Sequence, residues 1–164
     1  YLRMIELKTA VLLAASLKTG AIIGGASEKD QELLYEFGKL LGIAFQIQDD
    51  VLDTYGDTRM FGKKTGSDIV ANKKTYLLVK ALEMAGGVKL QTLRKLADST
   101  PADPEEKVTA VKAIFDELEI RLQAENLAYD YINRAFQSLE QVSVKPDRKG
   151  ELKQLTVNLI GRVK

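Results

Sequence analysis

An all-α fold is predicted for this chain by three observations. Its only prolines, Pro101, Pro104 and Pro146, bracket long uninterrupted stretches. Those stretches are rich in Ala, Leu, Glu, Lys and Gln, the strong helix formers. No alternation of apolar and polar residues flanked by turn chemistry competes with them as strand. The 164 residues are enough for one ordinary domain that buries about two-thirds of the surface of its unfolded chain. A single all-helical domain over 1–164 is therefore the expectation.

Taken in order, the first helix runs from Tyr1 to Ile23. It is helix-periodic from its opening residue, with neither an initiator methionine nor an N-cap, and reads as an element entered in its middle. Its apolar run from Ala10 to Ile23 is interrupted by Ser16, Lys18, Thr19 and Gly20, and it is shorter than the ~20 apolar residues a bilayer span needs. A second helix spans Asp30 to Thr54. Next comes "YGDTRMFGKKTGSDIVANKK", Tyr55 to Lys74, too polar to be core and too long for a simple connector. Helices follow at Thr75 to Met84, Val88 to Ala97, Glu105 to Phe115, Ile120 to Val142 and Lys149 to Arg162. From Glu105 to Phe136 charged and apolar residues alternate at helical spacing, as in packing helices with solvated charged faces.

Composition narrows the chemistry. Lys and Arg number 24 against 23 Asp and Glu, a net charge of +1 that offers no global field for nucleic acid or an anionic membrane. The chain has neither cysteine nor histidine. Disulfides, thiolate nucleophiles and imidazole acid–base work by its own residues are excluded, and a metal site would use oxygen ligands, which favours Mg²⁺, Ca²⁺ or Mn²⁺ over zinc. With no secretory pattern either, the cytoplasm is the expected compartment.

Within the second helix, "GIAFQIQDDVLD" places three aspartates in five positions of an otherwise apolar stretch. At helical spacing Lys39, Gly42, Gln46, Asp49, Asp50 and Asp53 fall on one polar stripe. Leu40, Leu41, Ile43, Phe45, Ile47, Val51 and Leu52 cover most of the remaining circumference, so the stripe is expected to face a cavity rather than bulk water. Two carboxylates ~4 Å apart repel by about 4 kcal/mol at an effective dielectric near 20, and a divalent cation removes that cost. Asp49 and Asp53 are one turn apart, able to share one ion, with Asp50 binding directly or through water. The other reading of the same spacing is pairing with lysines elsewhere or a place near a helix end. Lys8 lies in a packed helix, where it either snorkels to the surface or meets an anion. Lys63 and Lys73 are point charges suited to phosphate, or solvated surface groups. Acidic stripe, helix lysine and basic loop together point to a diphosphate held through Mg²⁺.

These residues resemble the trans-type polyprenyl diphosphate synthases, which include farnesyl and geranylgeranyl diphosphate synthases. "FQIQDDVLD" is similar to the family's second aspartate-rich motif, "YLRMIELKTA" to its lysine–threonine segment, and "GDTRMFGKKTGSD" with "NKKTY" to its basic loop. The resemblance implies the C-terminal half of an isoprenoid-synthase helical bundle. It also implies a prenyltransferase that joins isopentenyl diphosphate to an allylic diphosphate with Mg²⁺, or possible substitution by Mn²⁺. By the same resemblance Asp49, Asp50 and Asp53 bind the metal, Asp68 orders metal-bound water, and Lys8, Lys63 and Lys73 contact the allylic diphosphate. Thr9 and Gln46 line the reacting centre. A homodimer is implied as well.

Two departures stand out. "ELEI" (Glu117 to Ile120) occupies a place where a glycine turn between helices is expected. The family's first aspartate-rich motif and the basic residues that bind isopentenyl diphosphate have no counterpart, so the chain reads as the C-terminal half of one roughly twice as long, and the fragment alone is expected to make no prenyl chain. A half-bundle should also leave an apolar face exposed. The alternatives are a regulatory, non-catalytic subunit of a prenyl synthase and a terpene-cyclase-like enzyme that ionises allylic diphosphates without isopentenyl diphosphate.

Overall fold

The structure, a computed structural model, describes residues 1–56, 65–100 and 103–160. Among these residues every regular element is helical: α1 (Leu2–Ile5), a π-helical turn (Glu6–Ala10), α2 (Val11–Ile23), α3 (Glu28–Tyr55), α4 (Ser67–Val70), α5 (Tyr76–Met84), α6 (Gly87–Asp98), α7 (Pro104–Glu117), α8 (Ile120–Glu140), a 3₁₀ turn (Pro146–Lys149) and α9 (Gly150–Ile160). Each predicted helix is present, with ends displaced by a few residues, except that the predicted end of the last at Arg162 lies outside the described residues. Among the described residues no helix is long and apolar enough to cross a membrane.

The displaced ends have local causes. Helix α3 begins at Glu28, two residues before the predicted Asp30, because Ser27 caps it: Asp30 N donates to Ser27 Oγ at 3.2 Å, and Ser27 Oγ in turn donates to the Asp30 carboxylate at 3.0 Å. Helix α5 starts after Thr75, whose Oγ1 accepts from Leu78 N at 3.3 Å. Helix α7 combines an Asp103 N-cap, which accepts from the amides of Glu105 and Glu106, with Pro104 in its first turn. Between α7 and α8 Glu119 takes φ 53°, the left-handed conformation for which the sequence predicted glycine.

The residues group into two compact units. One comprises Leu2–Gln48 and Leu127–Lys164; the other comprises Tyr1 and Asp49–Asn126. Helix α3 contributes residues to both. In the first unit Phe37, Leu40 and Leu41 of α3 pack with Ala135 and Leu139 of α8 and with Val142. Burying a side chain such as Phe37 completely stabilises by about 1.5–3 kcal/mol. Helix α3 meets the π-helical turn and α2 at small residues: a Cβ added to Gly42 would lie 2.7 Å from Ala10 Cα, and one on Gly38 2.9 Å from Ala14 Cα. Gly42, predicted to belong to the polar stripe, is thus a packing contact with the Lys8–Thr9 segment's own helix. On the same unit α2 exposes Leu12 (72 %) and Ile23 (82 %). The second unit is built on Leu77, Leu78, Leu93, Val111, Phe115 and Ile120, all buried.

Candidate functional site

In the second unit the last turns of α3 and the segment 65–76 assemble an acidic cluster around one clasp. Asp53 accepts from Ser67 Oγ and, at 2.9 Å, from the backbone N–H of Asp68, while Gly66 N donates to the Asp53 carbonyl at 2.6 Å. Four residues are too few to nucleate a helix unaided. The Asp53 carboxylate offsets part of that cost by satisfying the N-terminal donors of α4. Asp68 in turn accepts from the ammonium of Lys73, which folds back through a turn closed by Lys73 N to Asp68 O at 3.0 Å. The Asp68 partner holds Lys73 firmly protonated, with Asp53 and Asp49 adding to the effect.

Asp50 takes a different environment from its neighbours. It is 9 % exposed, accepts from Tyr76 N at 2.8 Å, and receives the Tyr1 hydroxyl. Burial pushes its carboxyl up to about 6 against the lowering effect of those hydrogen bonds, and the charges of Asp68 and Asp49 push the same way. Burial and the bond to Asp50 likewise raise the Tyr1 phenol. Asp49 is exposed. The structure therefore gathers Asp53, Ser67, Asp68 and Lys73 directly, sets Asp50 with Tyr1 and Tyr76, and keeps Asp49 near enough to act on both through its charge.

Among the described residues no three acidic side chains are drawn together closely enough to hold an ion unaided. The donors are hard carboxylate oxygens of the kind that take a divalent cation, beside a lysine suited to phosphate; Asp50 itself is raised mainly by burial, with the charges of Asp68 and Asp49 adding to it. Lys63 lies outside the described residues.

The first unit carries the remaining predicted residues. Lys8, exposed, and Thr9, half-buried, occupy the π-helical turn, a distortion frequent at functional sites. Gln46 is half-buried on α3. Lys39 of the predicted stripe instead pairs with Glu36. Gln48, on the same helix, buries an Oε1 with no hydrogen-bond partner among the described residues.

Helix α7 supplies residues that sequence reasoning missed. Lys107 is 3 % exposed, and Val108 packs beneath Gly66. Both fall in "EEKVTAVK", whose periodicity reads as a solvated face; no local signal separates Lys107 from its exposed neighbours.

The fold matches known proteins. The chain belongs to the polyprenyl synthetase family, whose sequence model matches residues 1–114. It is similar to the geranylgeranyl diphosphate synthase of Sulfolobus acidocaldarius, 41% identical over an alignment that covers 100% of this chain and 49% of the relative. It is similar also to that of Methanosarcina mazei, 39% identical over 90% of this chain and 44% of the relative. A crystal structure of geranylgeranyl pyrophosphate synthase superposes with a TM-score of 0.90 at 37% identity, covering 100% of this chain and 51% of the other. That of a polyprenyl synthase from Caulobacter crescentus CB15 complexed with calcium and isoprenyl diphosphate gives 0.87 at 28% identity, covering 100% and 49%. The chain spans about half the length of the curated relatives it matches.

Proposed function

We propose that the protein containing this chain is a prenyltransferase that joins isopentenyl diphosphate to an allylic diphosphate and releases diphosphate. The observation that carries this reading is the Asp53 clasp, which sets Asp68 and Lys73 against the aspartates of α3. In the reaction the allylic C–O bond breaks, the terminal carbon of isopentenyl diphosphate bonds to the allylic cation to leave a tertiary cation at its C3, and a proton lost from C2 passes to the departing diphosphate as the C2–C3 double bond forms. The difficult step is separation of charge. Mg²⁺, or Mn²⁺, supplies neutralisation of the leaving diphosphate when bound, and Asp49, Asp50 and Asp53 are the residues that would hold it, with Asp68 ordering water. Lys73, kept protonated by its acidic neighbours, adds a positive charge at the leaving group, a role shared with Lys63 and Lys8. Thr9 and Gln46 present dipoles to the cation. The relatives crystallised with calcium and isoprenyl diphosphate support a divalent ion and a diphosphate at such a site. A homodimer of the whole protein is part of the proposal.

The test is turnover of isopentenyl diphosphate with an allylic diphosphate by the full-length protein, with and without Mg²⁺. Metal-dependent chain elongation is expected, falling about 10²- to 10³-fold in Asp49→Ala, as when a transition-state electrostatic partner is removed. Consumption of the allylic substrate with isopentenyl diphosphate omitted would replace the reading with a cyclase. Tight Mg²⁺-dependent binding of a bisphosphonate without turnover would replace it with a regulatory subunit.

A further inference from the structure

Two consecutive residues of α7 hold the two ends of the α4 segment. At its start Gly66 adopts φ +82°, and a Cβ there would sit 2.7 Å from both methyl groups of Val108. At its end Asn72 adopts φ 55°, left-handed again, and its Oδ1 accepts from the ammonium of Lys107. The same ammonium donates to the Ser99 carbonyl at 2.9 Å, and Asn72 Nδ2 donates to that carbonyl at 3.2 Å. Lys107 thus ties the end of α6 to the turn after α4.

This is an expensive way to fill an interior position. A lysine carries the largest side-chain entropy loss, and its charge is taken out of water with neutral oxygens as its hydrogen-bonding partners. Desolvation accordingly pulls the Lys107 ammonium below its ordinary range. Methionine or leucine would fill the same volume without taking a charge out of water. What an apolar residue lacks is a head that reaches two acceptors on two elements at once. Asn72 is the hinge of the turn: its own N–H goes to Ile69 O at 3.2 Å, and the next residue, Lys73, returns to Asp68.

We infer that Lys107 is a positioning residue, whose buried ammonium pins Asn72 and so holds Lys73 folded onto Asp68 in the orientation that engages a diphosphate. The pin stands on geometry alone; the diphosphate rests on the prenyl-transfer reading above.

The experiment compares full-length wild type with Lys107→Met, Lys107→Arg, Asn72→Gly and the Met/Gly double variant. Amide hydrogen exchange is read at Val70 to Lys73, whose N–H groups close the turn, and affinity for inorganic diphosphate with Mg²⁺ is read by calorimetry. In Lys107→Met exchange at Asn72 and Lys73 should rise about tenfold while Leu78 and Val79 in α5, bonded to Thr75, stay protected, and diphosphate affinity should fall about tenfold, the worth of a hydrogen bond to a charged group. Lys107→Arg should recover part of both. Asn72→Gly, which keeps the left-handed backbone but loses the acceptor, should reproduce the loss, and the double variant should add nothing; it also serves if Lys107→Met does not fold. Unchanged local exchange, or losses that multiply in the double variant, would overturn the pin. Faster exchange with full diphosphate affinity would overturn the positioning role. If wild type itself binds no diphosphate, the prenyl-transfer reading fails, and the exchange data still decide the pin.

Discussion

Gly42→Ala tests the contact between α3 and the π-helical turn that carries Lys8 and Thr9. In the middle of a helix this substitution ordinarily stabilises by about 0.5–1 kcal/mol, because glycine loses more backbone freedom on folding. At Gly42 the new methyl would lie 2.7 Å from Ala10 Cα and 2.9 Å from Ala10 Cβ. Carbon atoms in contact sit about 3.5–4.0 Å apart, so the helices must separate by about 1 Å. The obstructing atom is backbone and cannot rotate away. Overpacking of this kind costs about 1–3 kcal/mol, which leaves a net destabilisation of about 1 kcal/mol. Gly20 provides the control, since on α2 a Cβ there meets nothing within 4 Å, and Gly20→Ala should stabilise by about 0.5–1 kcal/mol. Urea denaturation followed by circular dichroism measures both, and the two midpoints should move in opposite directions. Gly38→Ala adds a further check: with the helices already parted, Gly38→Ala and Gly42→Ala together should cost less than their sum. A Gly42→Ala midpoint displaced upward like that of Gly20→Ala would refute the close-approach account.

Two more outcomes follow from backbone and charge. Glu119→Gly should stabilise by about 0.5 kcal/mol in the same denaturation assay, the relief of a left-handed non-glycine residue outweighing the added freedom of the unfolded chain; no gain would mean that the turn tolerates Glu119 without strain. Asp30 is held below the usual carboxylate range by the Ser143 backbone N–H at 2.9 Å, with the Ser27 hydroxyl helping. A carboxyl lowered on folding contributes stability that is present above its unfolded value and lost as the pH falls through its folded one. The melting temperature of wild type should therefore exceed that of Asp30→Asn at neutral pH, with the gap closing below about pH 4; a gap independent of pH would refute the assignment.

Much of the helical framework could be read from residue order because its signals are local. Asp103 before Pro104 marks the start of α7, and the proline-free run through Ile47 makes α3. What escaped reading depends on partners distant in sequence. Helix α4 lies in a glycine- and lysine-rich stretch and is capped by Asp53, fifteen residues back. The aspartates share a stripe on a helical wheel, yet adjacent residues differ by about 100°, and that is enough to turn Asp50 toward Tyr1 and Tyr76 while Asp49 stays exposed. The identities of the charged residues were legible; their individual surroundings were not. Lys107 was the hardest, because nothing beside it in the chain distinguishes a buried ammonium from a solvated one.

The π-helical turn at Glu6–Ala10 has a consequence for inheritance. Buried positions along the first helix run Ile5, Ala10, Ala14, Ala21: a step of five, then steps compatible with an ordinary α-helix. The turn behaves as a single-residue insertion absorbed without breaking the helix, and it slips the phase of everything on one side by about 100°. Lys8 and Thr9 sit inside that slip, where neither flanking seam dictates residue choice. Descendants of such a chain could vary these two positions for chemistry while keeping the packing alphabet of both seams, whereas deletion of one residue here would restore a regular helix and hand the positions back to the core.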